Sequence, residues 1–125
     1  MRRIIKTENA PAAIGPYSQA IQISDMLFVS GQIPINPKSG NIEANDIKGQ
    51  TEQVFNNIHA ILSEAGFTME NIVKATVLLA DMSLFAGMNE VYSSQFTGDY
   101  PARAAFAVKE LPKGSLVEIE VIAKK

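Results

Sequence analysis

The sequence predicts an α+β domain in which two helices lie on one face of a six-stranded mixed sheet. Three observations carry that expectation. Periodic segments follow one another as strands, helix, strand, helix, strands. Two of them repeat apolar residues at three- and four-residue intervals, and the others alternate or are rich in β-branched residues. The chain has 125 residues, 46% hydrophobic and 19% charged, with no internal repeat or linker, so residues 1–125 read as a single domain with one core.

The first helix is expected over 46–65. There Ile47, Val54, Phe55, Ile58, Ile61, Leu62 and Ala65 recur on one face, and Gly66 follows where glycine best makes a left-handed cap. The second is expected over about 83–96, with the stripe Leu84, Phe85, Met88, Val91, Tyr92 and Phe96, and with Ser83 or Asp81 as N-cap. Strands are expected at 4–6, 20–23, 26–30, 72–80, 103–109 and 116–123. Ser24-Asp25 is a gap suited to a tight hairpin, and the proline- and glycine-rich stretches 11–16 and 34–40 read as loops.

Side chains alternate across a strand, so each strand's residues sort into two faces. The expected core face holds Ile21, Ile23, Leu27, Val29, Val73, Ala75, Val77, Leu79, Phe106, Val108, Val117, Ile119 and Val121. The other holds Gln22, Met26, Phe28, Ser30, Lys74, Thr76, Leu78, Arg103, Ala105, Ala107, Glu118, Glu120 and Ile122. Two helices cover only one face. Met26, Phe28, Leu78 and Ile122 are large apolar groups for a surface left to solvent, so this face is expected to join copies into a homo-oligomer.

Composition excludes much chemistry. The absence of cysteine removes disulfides, thiolate nucleophiles and cysteine-ligated metals. A single histidine, His59, removes any site built on two imidazoles. Eleven basic and thirteen acidic residues give a net charge of −2, without the clustered basic excess that phosphate contacts use, so no nucleic-acid partner is expected. No G-x-G, H-E-x-x-H or EF-hand spacing occurs, and neither a metal nor a cofactor is expected. The longest apolar run, Ala104–Val108, is far short of the ~20 residues of a membrane helix. The first residues lack a signal-length apolar stretch, so a soluble cytoplasmic protein is expected, with no membrane partner.

What remains is a small set of residues on the second face. Arg103 opens a strand beside the small residues Ala105 and Ala107, and Glu118 has the same parity on the last strand. Arginine presents a planar fork suited to a carboxylate, and a glutamate can deprotonate a water. Spacing alone equally suits an ordinary structural ion pair, which is the commoner reason for such a pair. Ser30 ends another strand on that face. Tyr17 sits in the loop Ile14-Gly15-Pro16-Tyr17-Ser18, where it covers a core edge or walls a pocket, and Asn89 lies off the apolar stripe of the second helix.

Taken in order along the chain, these residues resemble the Rid family, the reactive intermediate deaminases also called YjgF-type proteins, and most of all its RidA-type subgroup. The resemblance rests on Asn9-Ala10-Pro11, Gly15-Pro16-Tyr17-Ser18, Val29-Ser30-Gly31-Gln32-Ile33-Pro34, Asn89 before Tyr92, Tyr100-Pro101-Ala102-Arg103-Ala104-Ala105, Leu111-Pro112-Lys113-Gly114 and Val117-Glu118-Ile119-Glu120. It implies a chorismate-mutase-like two-layer fold and a homotrimer with ligand clefts between subunits. It also implies 2-iminobutanoate/2-iminopropanoate deaminase activity: hydrolysis of the enamine and imine intermediates released by PLP enzymes, such as 2-aminoacrylate and 2-iminobutyrate, to 2-oxo acids and ammonia.

On that reading Arg103 holds the substrate carboxylate and Glu118 activates the water. Ser30 and the Gly31 N–H add contacts, Tyr17 limits substrate size from a neighbouring subunit, and Asn89 supports the site. The position that carries cysteine in some members is Ala105 here. Two other functions fit the same chain: a non-catalytic 2-oxo acid-binding regulator, and, more weakly, an endoribonuclease or translation inhibitor.

Overall fold

Side-chain caps set the helix boundaries. In the computed structural model, which describes all 125 residues, α1 (Ile47–Ala65) starts where the Asp46 carboxylate accepts the Gly49 N–H at 3.1 Å. It stops at Gly66, whose φ of 80° turns the chain out of the helix. Helix α2 (Phe85–Ser94) is shorter than expected. The chain enters it through a 3-10 turn at Met82–Leu84, capped by Asp81 on the Ser83 N–H at 2.8 Å, and Phe96 falls beyond its end.

Strands β1 (Arg2–Ile5), β2 (Ala20–Ile23), β3 (Met26–Gln32), β4 (Ile72–Leu79), β5 (Ala102–Ala107) and β6 (Val117–Lys124) form one sheet in the order β1-β2-β3-β6-β4-β5. All neighbours are antiparallel except β4 and β5, which run parallel because α2 crosses between them. The two-residue loop Ser24-Asp25 closes the β2–β3 hairpin, with Ser24 at a φ of 54°. Helix α1 packs over β3 and β6, and α2 lies beside α1. Between helices and sheet, Val54, Phe55, Ile58, Ile61, Leu62 and Met88 interlock with Leu27, Val29, Ala75, Val77, Val117 and Ile119. No helix is long and apolar enough to cross a membrane.

The sheet faces differ from expectation in three places. In β2, Ala20 pairs with Val29 and Gln22 with Leu27, so Ala20, 1% exposed, enters the core. Ile21 and Ile23 pair with Phe28 and Met26 on the open face instead. The more apolar parity, Ile21 and Ile23, thus turns outward, and the pairing with β3 sets the phase.

In β5, Arg103 pairs with Ala75 and Ala105 with Val77, which puts Arg103, Ala105 and Ala107 on the helix side. Phe106, 48% exposed, points to the open face, and Val108 lies past the strand end. The strand runs beneath aromatic side chains of α2, where alanine leaves room that phenylalanine would fill. In β4 a bulge lets Ile72 take the core place, so Val73 is 46% exposed rather than core. The open face therefore carries Ile4, Ile21, Ile23, Phe28, Phe106 and Ile122, more apolar area than the sequence suggested.

Candidate active site

A β-bulge builds the first half of the site. Val29 pairs with Val121 and Gln32 with Ile119, so Ser30 and Gly31 together lie across from Glu120. The extra residue bends β3 and brings the Gly31 backbone against the Glu118 side chain. A Cβ at Gly31 would stand 3.0 Å from Cδ and 3.2 Å from Cγ of Glu118, and would overlap its Oε2. Gly31 is not in the left-handed region, so the close approach, and not the dihedral angle, requires glycine here.

Glu118 is half-buried. Burial raises its carboxyl pKa above the ordinary value, and the neighbouring Glu120 raises it further. Tyr17, Ser30, Gly31 and Glu118 line one cleft of about 650 Å³, together with Pro11, Ile14 and Pro112. Tyr17 is exposed in a loop tightened by its own N–H bond to the Gly15 carbonyl at 2.9 Å. The Ser30 hydroxyl donates to the Ser18 carbonyl at 2.6 Å. Its proton is thus committed to the Tyr17 loop, and only its lone pairs remain for a ligand.

The second half is built by α2 and β5. Arg103 Nη1 donates to Asn89 Oδ1 at 2.7 Å. Its Cζ lies 4.7 Å from the Tyr92 ring centre and 5.4 Å from that of Phe85. Phe85, Asn89 and Tyr92 stand at i, i+4 and i+7 on α2, so one helix face supplies the whole cradle. Asn89, Tyr92, Ser93, Tyr100, Pro101 and Arg103 surround a pocket of about 480 Å³. The Tyr92 hydroxyl is buried without a hydrogen-bond partner. Burial raises its pKa, while the Arg103 charge opposes that rise.

The sequence placed Arg103 and Glu118 on one face; the structure puts them on opposite faces of the same chain. Parity went wrong because Phe106 and Val108 read as core residues, which turned Arg103 outward. The structural ion pair is excluded with it: the ion pairs of the chain are Lys48–Glu90 and Lys124–Asp25. The chain thus presents a guanidinium held by a neutral amide and two aromatic faces, and elsewhere a part-buried carboxylate with no cation. Such a guanidinium keeps its full charge for an anion, and such a carboxylate keeps its basicity for a proton.

In the sequence Phe85 belongs only to the apolar stripe and Tyr92 to the stripe and the Asn89–Tyr92 motif; their spacing about Asn89 is the signal of the cradle. Gln19, buried next to the Tyr17 loop, carries no local signal in the sequence. His59 stands exposed on α1, away from both halves.

Comparison with known proteins bears on this geometry. The family model described as Endoribonuclease L-PSP matches residues 7–125. The chain is 55% identical over 125 residues to a RutC family protein of Pyrococcus horikoshii, covering 100% of this chain and 99% of that one. It is 48% identical over 123 residues to a Mus musculus protein named 2-iminobutanoate/2-iminopropanoate deaminase, covering 98% and 91%. The structure of E. coli TdcF with bound serine superposes with a TM-score of 0.94 at 42% identity, covering 98% of each chain.

Proposed function

Because the chain belongs to the YjgF/RutC/Rid family, we propose that it hydrolyses small 2-imino acids and their enamine tautomers to 2-oxo acids and ammonia. The observation that carries this reading is the pair of uncompensated charges: Arg103 with no carboxylate and Glu118 with no cation. Each is half of what an α-imino acid needs, and one chain keeps them on opposite faces. Copies joined through the apolar open face, as a homotrimer, would bring Arg103 and Asn89 of one subunit to the Tyr17–Gly31–Glu118 cleft of the next. The deaminase name of the mouse relative and the serine bound to TdcF both fit a ligand that is a small amino-acid-like carboxylate.

In the joined cleft the Arg103 fork binds the substrate carboxylate, which fixes the adjoining iminium carbon beside Glu118. Glu118 takes a proton from water as the water oxygen bonds to that carbon, giving a carbinolamine. The proton then passes to nitrogen, the C–N bond breaks and ammonia leaves with the bonding pair, and the freed Glu118 carboxylate takes the hydroxyl proton as the oxygen becomes the 2-oxo carbonyl. An enamine such as 2-aminoacrylate is first protonated at carbon to the same iminium. Imines hydrolyse unaided, so positioning and one base suffice for a useful acceleration.

The test generates 2-iminobutanoate with an amino-acid oxidase and traps what remains with semicarbazide. The protein should speed its loss, Arg103→Ala should abolish the acceleration, and Glu118→Ala should bind 2-oxobutanoate yet turn over slowly. Binding of 2-oxobutanoate by a wild type that accelerates nothing would instead identify a regulatory binder. A monomeric mass by sedimentation at micromolar concentration would overturn the shared cleft.

A further inference from the structure

We propose that Gln19 is a positioning residue of this cleft, one that holds the wall carrying Tyr17 at its working distance from the Gly31–Glu118 shelf. The inference rests on the proposed function and deepens it. Gln19 is 3% exposed, and its side-chain amide is engaged with backbone groups at both ends. Its Oε1 accepts the Thr7 N–H at 2.7 Å, and its Nε2 donates to the carbonyls of Thr7 at 3.0 Å and Pro11 at 2.8 Å, with a longer contact to Ala10 at 3.4 Å. The amide thus answers both backbone groups of Thr7, as a neighbouring strand would.

The segment between β1 and β2 has no regular structure of its own. The other hydrogen bonds within residues 7–17, Asn9 N–H to Thr7 Oγ1 and Tyr17 N–H to the Gly15 carbonyl, stay inside the segment. Its hydrogen bonds to the rest of the chain all end on the Gln19 side chain, and Ala10 alone of the segment enters the hydrophobic core. Gln19 is in turn fastened to the bulge, because its carbonyl accepts the Ser30 N–H at 2.9 Å and the Ser30 hydroxyl holds Ser18 next to it. Pro11, Ile14 and Tyr17 are therefore tied to β3 at the residue before Gly31. The shelf itself depends on the β3–β6 ladder and not on the Gln19 amide. Loss of the amide should loosen substrate binding and spare the chemical step.

The test compares the wild type with Gln19→Met, which keeps length and volume without the amide. Gln19→Glu serves as a second variant that still accepts the Thr7 N–H. In both, KM for 2-iminobutanoate should rise about tenfold with kcat within about twofold, the pattern of lost uniform binding. In Gln19→Met the Thr7 amide should exchange with solvent as fast as an open loop, while the α1 amides stay protected. Fast Thr7 exchange with an unchanged KM would overturn the inference, as would a lowered Tm with no change in KM. Should the wild type not turn over imines, the proposed function falls by itself. The Kd for 2-oxobutanoate then takes the place of KM and decides the role of Gln19 separately.

Discussion

The carboxylate of Glu118 occupies the space in which a side chain at Gly31 would begin. Two strands, β3 and β6, thereby fix the position of the catalytic base of the proposed reaction through a single missing atom. Replacement of Gly31 by alanine is compatible with its backbone conformation, so the chain should fold, with Tm within a few degrees of wild type. Glu118 must swing away, and a displacement of this size costs about a hundredfold in kcat. Steady-state hydrolysis of 2-iminobutanoate by Gly31→Ala checks this; an unchanged kcat would remove Glu118 from the reacting carbon.

Glu118 also predicts two pH effects. Its pKa is raised by burial and by Glu120, so the acidic limb of the kcat profile should lie above the usual carboxylate range. For stability the sign is the reverse of a salt-bridged acid. The folded state holds this proton more tightly than the unfolded one, so the contribution is full below the ordinary value of 4.5 and is lost as pH rises through the raised pKa. Glu118→Gln should match wild type in acid and exceed it at pH 7, by no more than about 1 kcal/mol because solvent screens the group. Denaturant titrations at the two pH values measure the difference.

Asn89 matters because it is neutral. It orients the Arg103 guanidinium by accepting a hydrogen bond, and leaves the charge uncompensated. Asn89→Asp keeps the geometry and adds a competing carboxylate. KM should rise about tenfold with little change in Tm, and the rise should diminish with added salt. A KM equal to wild type would mean that the substrate carboxylate binds elsewhere.

The Tyr92 ring serves Arg103, while its buried hydroxyl serves nothing within the chain. Tyr92→Phe should leave activity within about threefold and leave stability unchanged or about 1 kcal/mol higher, since an unsatisfied buried donor is removed. Thermal melts and kcat/KM measured together test both halves. A destabilisation larger than about 1 kcal/mol would show that the hydroxyl gains a partner in the assembled protein.

Much of the fold was legible because its signals were redundant. Helix α1 announced itself through its apolar spacing, Asp46 and Gly66 at once, and the β2–β3 hairpin through Ser24-Asp25. The faces of β2 and β5 were not legible. Each of these strands has apolar residues at both parities, and only pairing with β3 or β4 sets which side turns inward. That one ambiguity reversed Arg103 and so separated it from Glu118. Arg103 and Glu118 were still legible as candidates, because the family resemblance rests on residue order along the chain and not on which way a side chain faces. The roles of Phe85, Tyr92 and Gln19 depend on who packs against whom, which local spacing only hints at.

The bulge in β3 acts as a change of phase. Before it, Leu27 and Val29 point to the helices at odd positions; after it, Gln32 does so at an even one. The strand therefore spends one residue to turn its numbering over while keeping its interior side covered. Deleting either Ser30 or Gly31 would restore a regular ladder and could leave the core intact, yet it would erase the step on which Glu118 rests. A protein one residue shorter here would keep its shape and lose the shelf on which the proposed reaction depends, which makes chain length at this point as strict a requirement for it as any side chain.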